Sequence, residues 1–225
     1  QTSLAGSVNV SAKPLVYGFT AKAGVGPGTF IRKSSPALAN NGIVVLGDVD
    51  NDGDLDIAAT EGALVEILFN DSKANFTSGG TFAGGPGGCI FADMDNNGYL
   101  DLVVVNVTTF PSQITVRLNN GSGNFATALG PFNSATDYSV ISVGDVNGDG
   151  YLDIVAANNN GGSISVLLNN GNGTLAPRSD YSTGGSVPNG IALGDVDNDG
   201  DLDVVVTNNG SHTVSVMLND GQGAF

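Results

Sequence analysis

Short apolar runs recur along this chain between clusters of glycine, asparagine and aspartate, and they sort into three classes that each appear four times. The first class is Ile43-Val-Val-Leu46, Cys89-Ile-Phe91, Val140-Ile-Ser-Val143 and Ile191-Ala-Leu193. The second is Leu55-Asp-Ile-Ala-Ala59, Leu100-Asp-Leu-Val-Val-Val105, Leu152-Asp-Ile-Val-Ala156 and Leu202-Asp-Val-Val-Val206. The third is Val65-Glu-Ile-Leu-Phe69, Ile114-Thr-Val-Arg-Leu118, Ile164-Ser-Val-Leu-Leu168 and Val214-Ser-Val-Met-Leu218. Runs this short, β-branched and bounded by turn residues, predict strands. The third class alternates best and should be half-buried. A turn follows it, as in Asn120-Gly-Ser-Gly-Asn-Phe125, Asn170-Gly-Asn-Gly-Thr-Leu175 and Asp220-Gly-Gln-Gly-Ala-Phe225. That turn opens a fourth, more polar stretch such as Pro177–Tyr181. No helical periodicity of useful length is present.

Between the first and second classes the chain writes one nine-residue phrase four times. The copies run from Asp48 to Asp56, Asp93 to Asp101, Asp145 to Asp153 and Asp195 to Asp203. Oxygen-bearing side chains stand at positions 1, 3, 5 and 9, and glycine stands at position 6 in every copy. Calcium takes six to eight oxygen ligands, and alternate residues of a tight loop can all point inward to supply them. Glycine permits the sharp turn, and the residue at position 7 is placed to offer its carbonyl. The candidate side-chain ligands are Asp48, Asp50, Asp52 and Asp56; Asp93, Asp95, Asn97 and Asp101; Asp145, Asn147, Asp149 and Asp153; Asp195, Asp197, Asp199 and Asp203. The candidate carbonyl donors are Asp54, Tyr99, Tyr151 and Asp201. Calcium loops that enter a helix carry a ligand at position 12; here position 9 runs directly into Val, Ile or Leu. Four strands per period of roughly 50 residues describe a propeller blade. The expected fold is therefore all-β, a propeller-like array of four-stranded blades with four calcium loops.

The D-x-[DN]-x-[DN]-G-x-L-D loop between two short strands, repeated at this period, resembles the FG-GAP/VCBS repeat family. The resemblance covers residues 27–225 and implies calcium-bearing blades of the integrin-α-like β-propeller kind. Position by position, it assigns the same side chains and position-7 carbonyls to metal. Residues 1–26 read as an N-terminal arm or a degenerate partial blade. Residues 28–33 look like a fourth strand without a blade of its own, residues 28–34 carry the turn-plus-Phe lead that opens the fourth strand elsewhere, and the last repeat stops where its fourth strand should begin. That strand is expected to pair beside Val214–Leu218, closing a ring in cis or building a filament in trans.

Charge narrows the partners. The formal net charge is −15 with seven Lys and Arg, too few for a phosphate-binding stripe, so nucleic acid is not expected. Fourteen of the 22 acidic residues are loop ligands, so the charge is mostly a metal-binding charge, which four Ca²⁺ would bring to −7. No apolar stretch is long enough to span a membrane as a helix. The single cysteine, Cys89, excludes an intrachain disulfide and reads as a buried thiol. His212, the only histidine, has no nucleophile motif beside it, and no pair of carboxylates outside the loops forms a catalytic constellation. No enzyme is expected. A lectin would usually want aromatic platforms, and the chain has no Trp and five Tyr. Seven N-x-[ST] sequons begin at Asn9, Asn70, Asn75, Asn106, Asn120, Asn172 and Asn209, several in turns that could carry glycans. The expectation is a secreted or cell-surface adhesion or structural module whose partner is a protein, a glycan or another copy of itself. Self-assembly into fibres and calcium-dependent sugar binding are the alternatives.

Overall fold

The computed structural model describes residues 42–84, 87–133 and 137–225. Fifteen strands are present among these, and no helix. The first sheet holds β1 (Val44–Gly47), β2 (Asp56–Glu61), β3 (Leu64–Asn70) and β4 (Phe76–Ala83) in that order. The second holds β5 (Cys89–Ala92), β6 (Asp101–Asn106), β7 (Gln113–Leu118) and β8 (Thr127–Asn133). The third holds β9 (Tyr138–Gly144), β10 (Asp153–Asn158), β11 (Ser163–Leu167) and β12 (Ser179–Ser182). The last has three strands, β13 (Pro188–Gly194), β14 (Asp203–Asn208) and β15 (Thr213–Met217). All pairings are antiparallel between chain neighbours, so each sheet is an up-and-down meander. The fourth strand of the third repeat begins at Ser179, two residues later than Pro177 suggests, because proline cannot donate to the ladder. The N-terminal arm and the strand expected over 28–34 lie outside the described residues.

The sheets stack face to face, with the first strands β1, β5, β9 and β13 beside one another in order. Three apolar layers result. Val49, Ile67, Phe91, Leu102 and Phe125 fill the first junction; Met94, Val103, Ile114, Ile154 and Leu167 the second; Val146, Ile164, Val204 and Val206 the third. The inner second strands, β6 and β10, are covered on both faces, so they read as unbroken apolar runs rather than alternating ones. Leu102, Val103, Val104 and Val105 are all at most 1% exposed. Of the third strands, β7 alternates as expected, with Ile114 and Val116 buried and Gln113, Thr115 and Arg117 half-buried, whereas β11 is buried from Ile164 to Leu167 because sheets cover both of its faces. Among the described residues the last sheet ends the stack in an open apolar face. Val65 and Ile67 of β3 are 0% exposed, whereas their repeat equivalents Val214 and Val216 are 63% and 57% exposed.

Candidate metal centre

Each acidic loop joins a first strand to a second strand, and its shape follows from two residues in the left-handed region. Position 4 has φ of 63° at Asn51, 59° at Asn96, 72° at Gly148 and 66° at Asn198. Asparagine and glycine are the residues that adopt this region at low cost. Position 6 goes further, to φ between 89° and 101° at Gly53, Gly98, Gly150 and Gly200. These turns wrap the backbone around the position-1 carboxylate. Asp48 accepts from the amides of Asp52 (3.2 Å) and Gly53 (3.1 Å), and Asp93 from those of Asn97 (3.0 Å) and Gly98 (2.9 Å). Position 5 accepts from the amide of position 7, at 2.9 Å for Asp52 and Asp54, 2.8 Å for Asn97 and Tyr99, 2.9 Å for Asp149 and Tyr151 and 3.0 Å for Asp199 and Asp201.

The fold brings carboxylates together in three of the four loops. Oxygens of Asp48, Asp50 and Asp56 lie within 4.8 Å of one another, as do those of Asp93, Asp95 and Asp101, and those of Asp195, Asp197 and Asp199. In the third loop Asn147 replaces one carboxylate and donates to Asp149 at 2.9 Å, and Asp145, Asp149 and Asp153 form no such group. An all-oxygen donor set built of carboxylates and amides suits a hard cation such as calcium and not a soft metal.

Position 9 is different in kind. Asp56, Asp101, Asp153 and Asp203 are each 0% exposed. One oxygen accepts from the position-2 amide: Val49 to Asp56 at 3.0 Å, Met94 to Asp101 at 2.8 Å, Val146 to Asp153 at 3.0 Å and Val196 to Asp203 at 2.9 Å. The other accepts from the backbone amide of an asparagine at or just past the end of the third strand: Asn70 at 2.9 Å, Asn119 at 2.7 Å, Asn169 at 2.8 Å and Asn219 at 2.9 Å. Burial pushes the carboxyls of Asp101 and Asp153 up to about 6, with the neighbouring loop carboxylates adding to it and the amide bonds opposing. Asp56 is raised for the same leading reason.

The asparagines are residues of the loop framework that strand periodicity does not single out. Beyond gripping position 9, the Asn119 side chain donates to the carbonyl of Val49 in the preceding loop at 2.7 Å. Asn169 does the same to Met94, and Asn219 to Val146, each at 2.7 Å. Every junction between sheets therefore ties one loop to the next. The signal lay in the sequence as an Asn at the same place in all four repeats, Asn70 included.

The other candidates fall as follows. Cys89 is buried and its thiol is pushed up to about 12. His212 is exposed in a turn. Tyr181 packs edge-on against Phe225 and donates its hydroxyl to the Gly223 carbonyl at 3.3 Å. Asn70 is a poor glycan acceptor: its side-chain nitrogen donates to Leu55 at 3.2 Å and its oxygen accepts from Ala74 at 3.1 Å. Asn75, Asn120, Asn172 and Asn209 are exposed, Asn106 is half-buried, and Asn9 lies outside the described residues.

No curated protein matches the chain. Among solved structures, it is similar to an Agrocybe aegerita lectin that recognises non-reducing terminal N-acetylglucosamine, at 23% identity and a TM-score of 0.51, over 80% of this chain and 54% of that one. It is also similar to a Photorhabdus luminescens Tc holotoxin pore, at 17% identity and a TM-score of 0.50, over 81% of this chain and 9% of that one. The chain thus spans about half the length of the lectin and a small part of the toxin, and at these identities the likeness is one of fold. The FG-GAP-like repeat model matches three overlapping stretches, residues 48–104, 93–156 and 145–206. Each stretch runs from the first aspartate of one loop to the second strand of the next, the segment that the inter-sheet asparagine spans, and the chain belongs to the FG-GAP-like repeat family.

Proposed function

We propose that this chain is a non-catalytic, calcium-stabilised β-propeller module that works outside the cell in adhesion or surface structure, with one calcium per loop. The observation that carries this reading is the gathering of carboxylates in three of the four loops. Three carboxylates within 4.8 Å repel one another, and a divalent cation is what offsets that repulsion. Calcium would be held by positions 1, 3, 5 and 9 and by the position-7 carbonyl, and would supply charge neutralisation and a cross-link at the corner between first and second strands. The protein's own residues do the rest. Position 9 fixes the loop to the third strand through asparagine, and asparagine fixes it to the preceding loop. A metal-stiffened loop therefore stiffens the junction between sheets, and the rigid stack presents its turns to a partner. Calcium titration by calorimetry, with unfolding followed in calcium and in EDTA, tests the reading. Four equivalents and a marked fall in unfolding temperature on chelation are expected; one site or none would sink it.

A second reading, calcium-dependent carbohydrate binding, is favoured by the fold shared with the lectin. Glycan-array binding that disappears in EDTA would support it over a purely structural role. Self-assembly is favoured by the last sheet, where Val214, Val216 and Leu218 are 63%, 57% and 52% exposed beside an edge that pairs with no other strand among the described residues. Deleting residues 1–34 tests strand exchange: a fully stable, unaltered monomer afterwards would show that the arm completes nothing.

A further inference from the structure

A cleft of about 310 Å³ opens where the second sheet faces the first. Its polar wall is Gln113, Thr115 and Arg117 of β7 with Asn106 of β6, and Gly130 and Pro131 of β8 form its outer lip. Strand alternation sets that wall. Ile114 and Val116 point into the next junction and are 0% exposed, so the residues between them face the first sheet.

Arg117 breaks the repeat. Two residues before the asparagine that grips the loop, the other three repeats carry Leu68, Leu167 and Met217. Those side chains need nothing but apolar company, whereas a guanidinium in a packed layer needs partners for five N–H groups. Arg117 finds few. Its guanidinium carbon sits 4.8 Å from the centroid of the Phe82 ring, and Nη1 makes a long bond of 3.4 Å to the Phe125 carbonyl. Its Nε is buried with no hydrogen-bond partner. The one ion pair among the described residues, Arg178 with Asp180, lies elsewhere. In a chain of formal charge −15 this is not for want of carboxylates. A buried donor left unmatched calls for an explanation.

The lip is irregular at the same level. Ile114 pairs with Phe132 and Val116 with Leu129, so Gly130 and Pro131 together stand opposite Thr115. Gly130 takes φ of 107°, and proline has no amide to donate. Bulges of this kind bend a strand away from its neighbour and recur beside binding sites. Here the bulge sits on the strand that borders the cleft.

We propose that this cleft binds a small hydroxylated carboxylate, of which an acidic monosaccharide such as a uronic acid is the form that suits its size. Arg117, which lines the cleft, takes the carboxylate through its terminal Nη groups, a planar guanidinium being the matched partner for it. Gln113, Thr115 and Asn106 offer donors and acceptors to the hydroxyls, and the cation–π contact with the Phe82 ring helps to hold the guanidinium in place. A cavity near the lower end of the range that holds small molecules takes one sugar ring and not an oligosaccharide. The site is separate from the acidic loops and does not rest on the function proposed above.

The test titrates the calcium-saturated full chain with glucuronic acid, glucose and glycolate, followed by calorimetry and by chemical shifts of the β7 amides. Arg117→Leu, Arg117→Lys and Gln113→Ala are titrated in parallel. Glucuronic acid should bind with millimolar or better affinity and glucose should not. Arg117→Leu should weaken binding by about tenfold or more while unfolding at the same or a higher temperature, since leucine is what two other repeats carry there. Arg117→Lys should fall between, because an ammonium lacks the planar fork. Glycolate binding as tightly as glucuronic acid would support the carboxylate alone, and weaker glycolate binding would support the sugar. No saturable binding of glucuronic acid to the wild-type chain would overturn the proposal. So would binding that Arg117→Leu leaves unchanged, which would assign the uptake to calcium in the loops.

Discussion

Asp201 and Asp203 stand two residues apart in the same loop and have opposite surroundings. Asp203 is 0% exposed, and its two oxygens accept from the amides of Val196 and Asn219. Asp201 is half-buried, and its amide, not its carboxylate, takes part in the loop. Asp203→Ala should therefore cost about 3 kcal/mol, because it leaves two backbone donors without an acceptor. Asp201→Ala should stay within about 0.5 kcal/mol, as surface substitutions usually do. Denaturant unfolding in calcium checks the pair, and equal effects would mean that the ligand register is wrong. Two of the buried position-9 carboxyls, Asp101 and Asp153, also set a pH dependence. Asp101 and Asp153 titrate at about 6 in the folded chain, above the ordinary carboxylate value of 3.8. The folded state then holds more protons than the unfolded state between those values, so these groups make the calcium-free chain more stable as pH falls from about 7 to about 4. Calcium requires them ionised, so the calcium-induced rise in unfolding temperature should shrink below about pH 6. Melting curves across pH, with calcium and with EDTA, report both trends.

At the scale of the element, the turn after each third strand does two tasks at once, closing its own sheet and seating against the one before. Gly123 shows the constraint. It has φ of 68°, and a Cβ there would meet the Phe69 ring of the first sheet at 2.4 Å. The same place in the first repeat is Ala74, also left-handed at φ of 61°. Gly123→Ala should therefore destabilise by more than the roughly 1 kcal/mol of backbone strain alone, while Ala74→Gly should be neutral or stabilising by up to about 1 kcal/mol. Thermal unfolding of the two variants measures the difference. The strand classes were legible from alternation and turn residues because those are local. That β6 and β10 are covered on both faces was legible only as a lack of alternation.

Over the whole molecule, stacked repeats share their stability through nearest-neighbour junctions. The inner sheets have two junctions each, and the outer ones have one among the described residues. At the open end, Val196 is 47% exposed where its equivalents Val49, Met94 and Val146 are at most 1% exposed. Hydrogen exchange should accordingly be slowest in β6 and β10 and fastest in β1 and β15. Uniform protection across all four sheets would show that further contacts cover the ends.

Local chemistry was enough to determine the loops, the spacing of their oxygen-bearing side chains and most strands, since charge spacing, glycine and alternation act within a few residues. The sequence also carried the invariant asparagines and the solitary Arg117, but as letters without partners. Asn119 reaches a carbonyl 70 positions away in the chain, and Arg117 meets Phe82 only because two sheets are pressed together. Such pairings depend on which faces stack and in what register. Only the tertiary structure decides that, because burying an apolar face requires another face, and each repeat finds it in its neighbour.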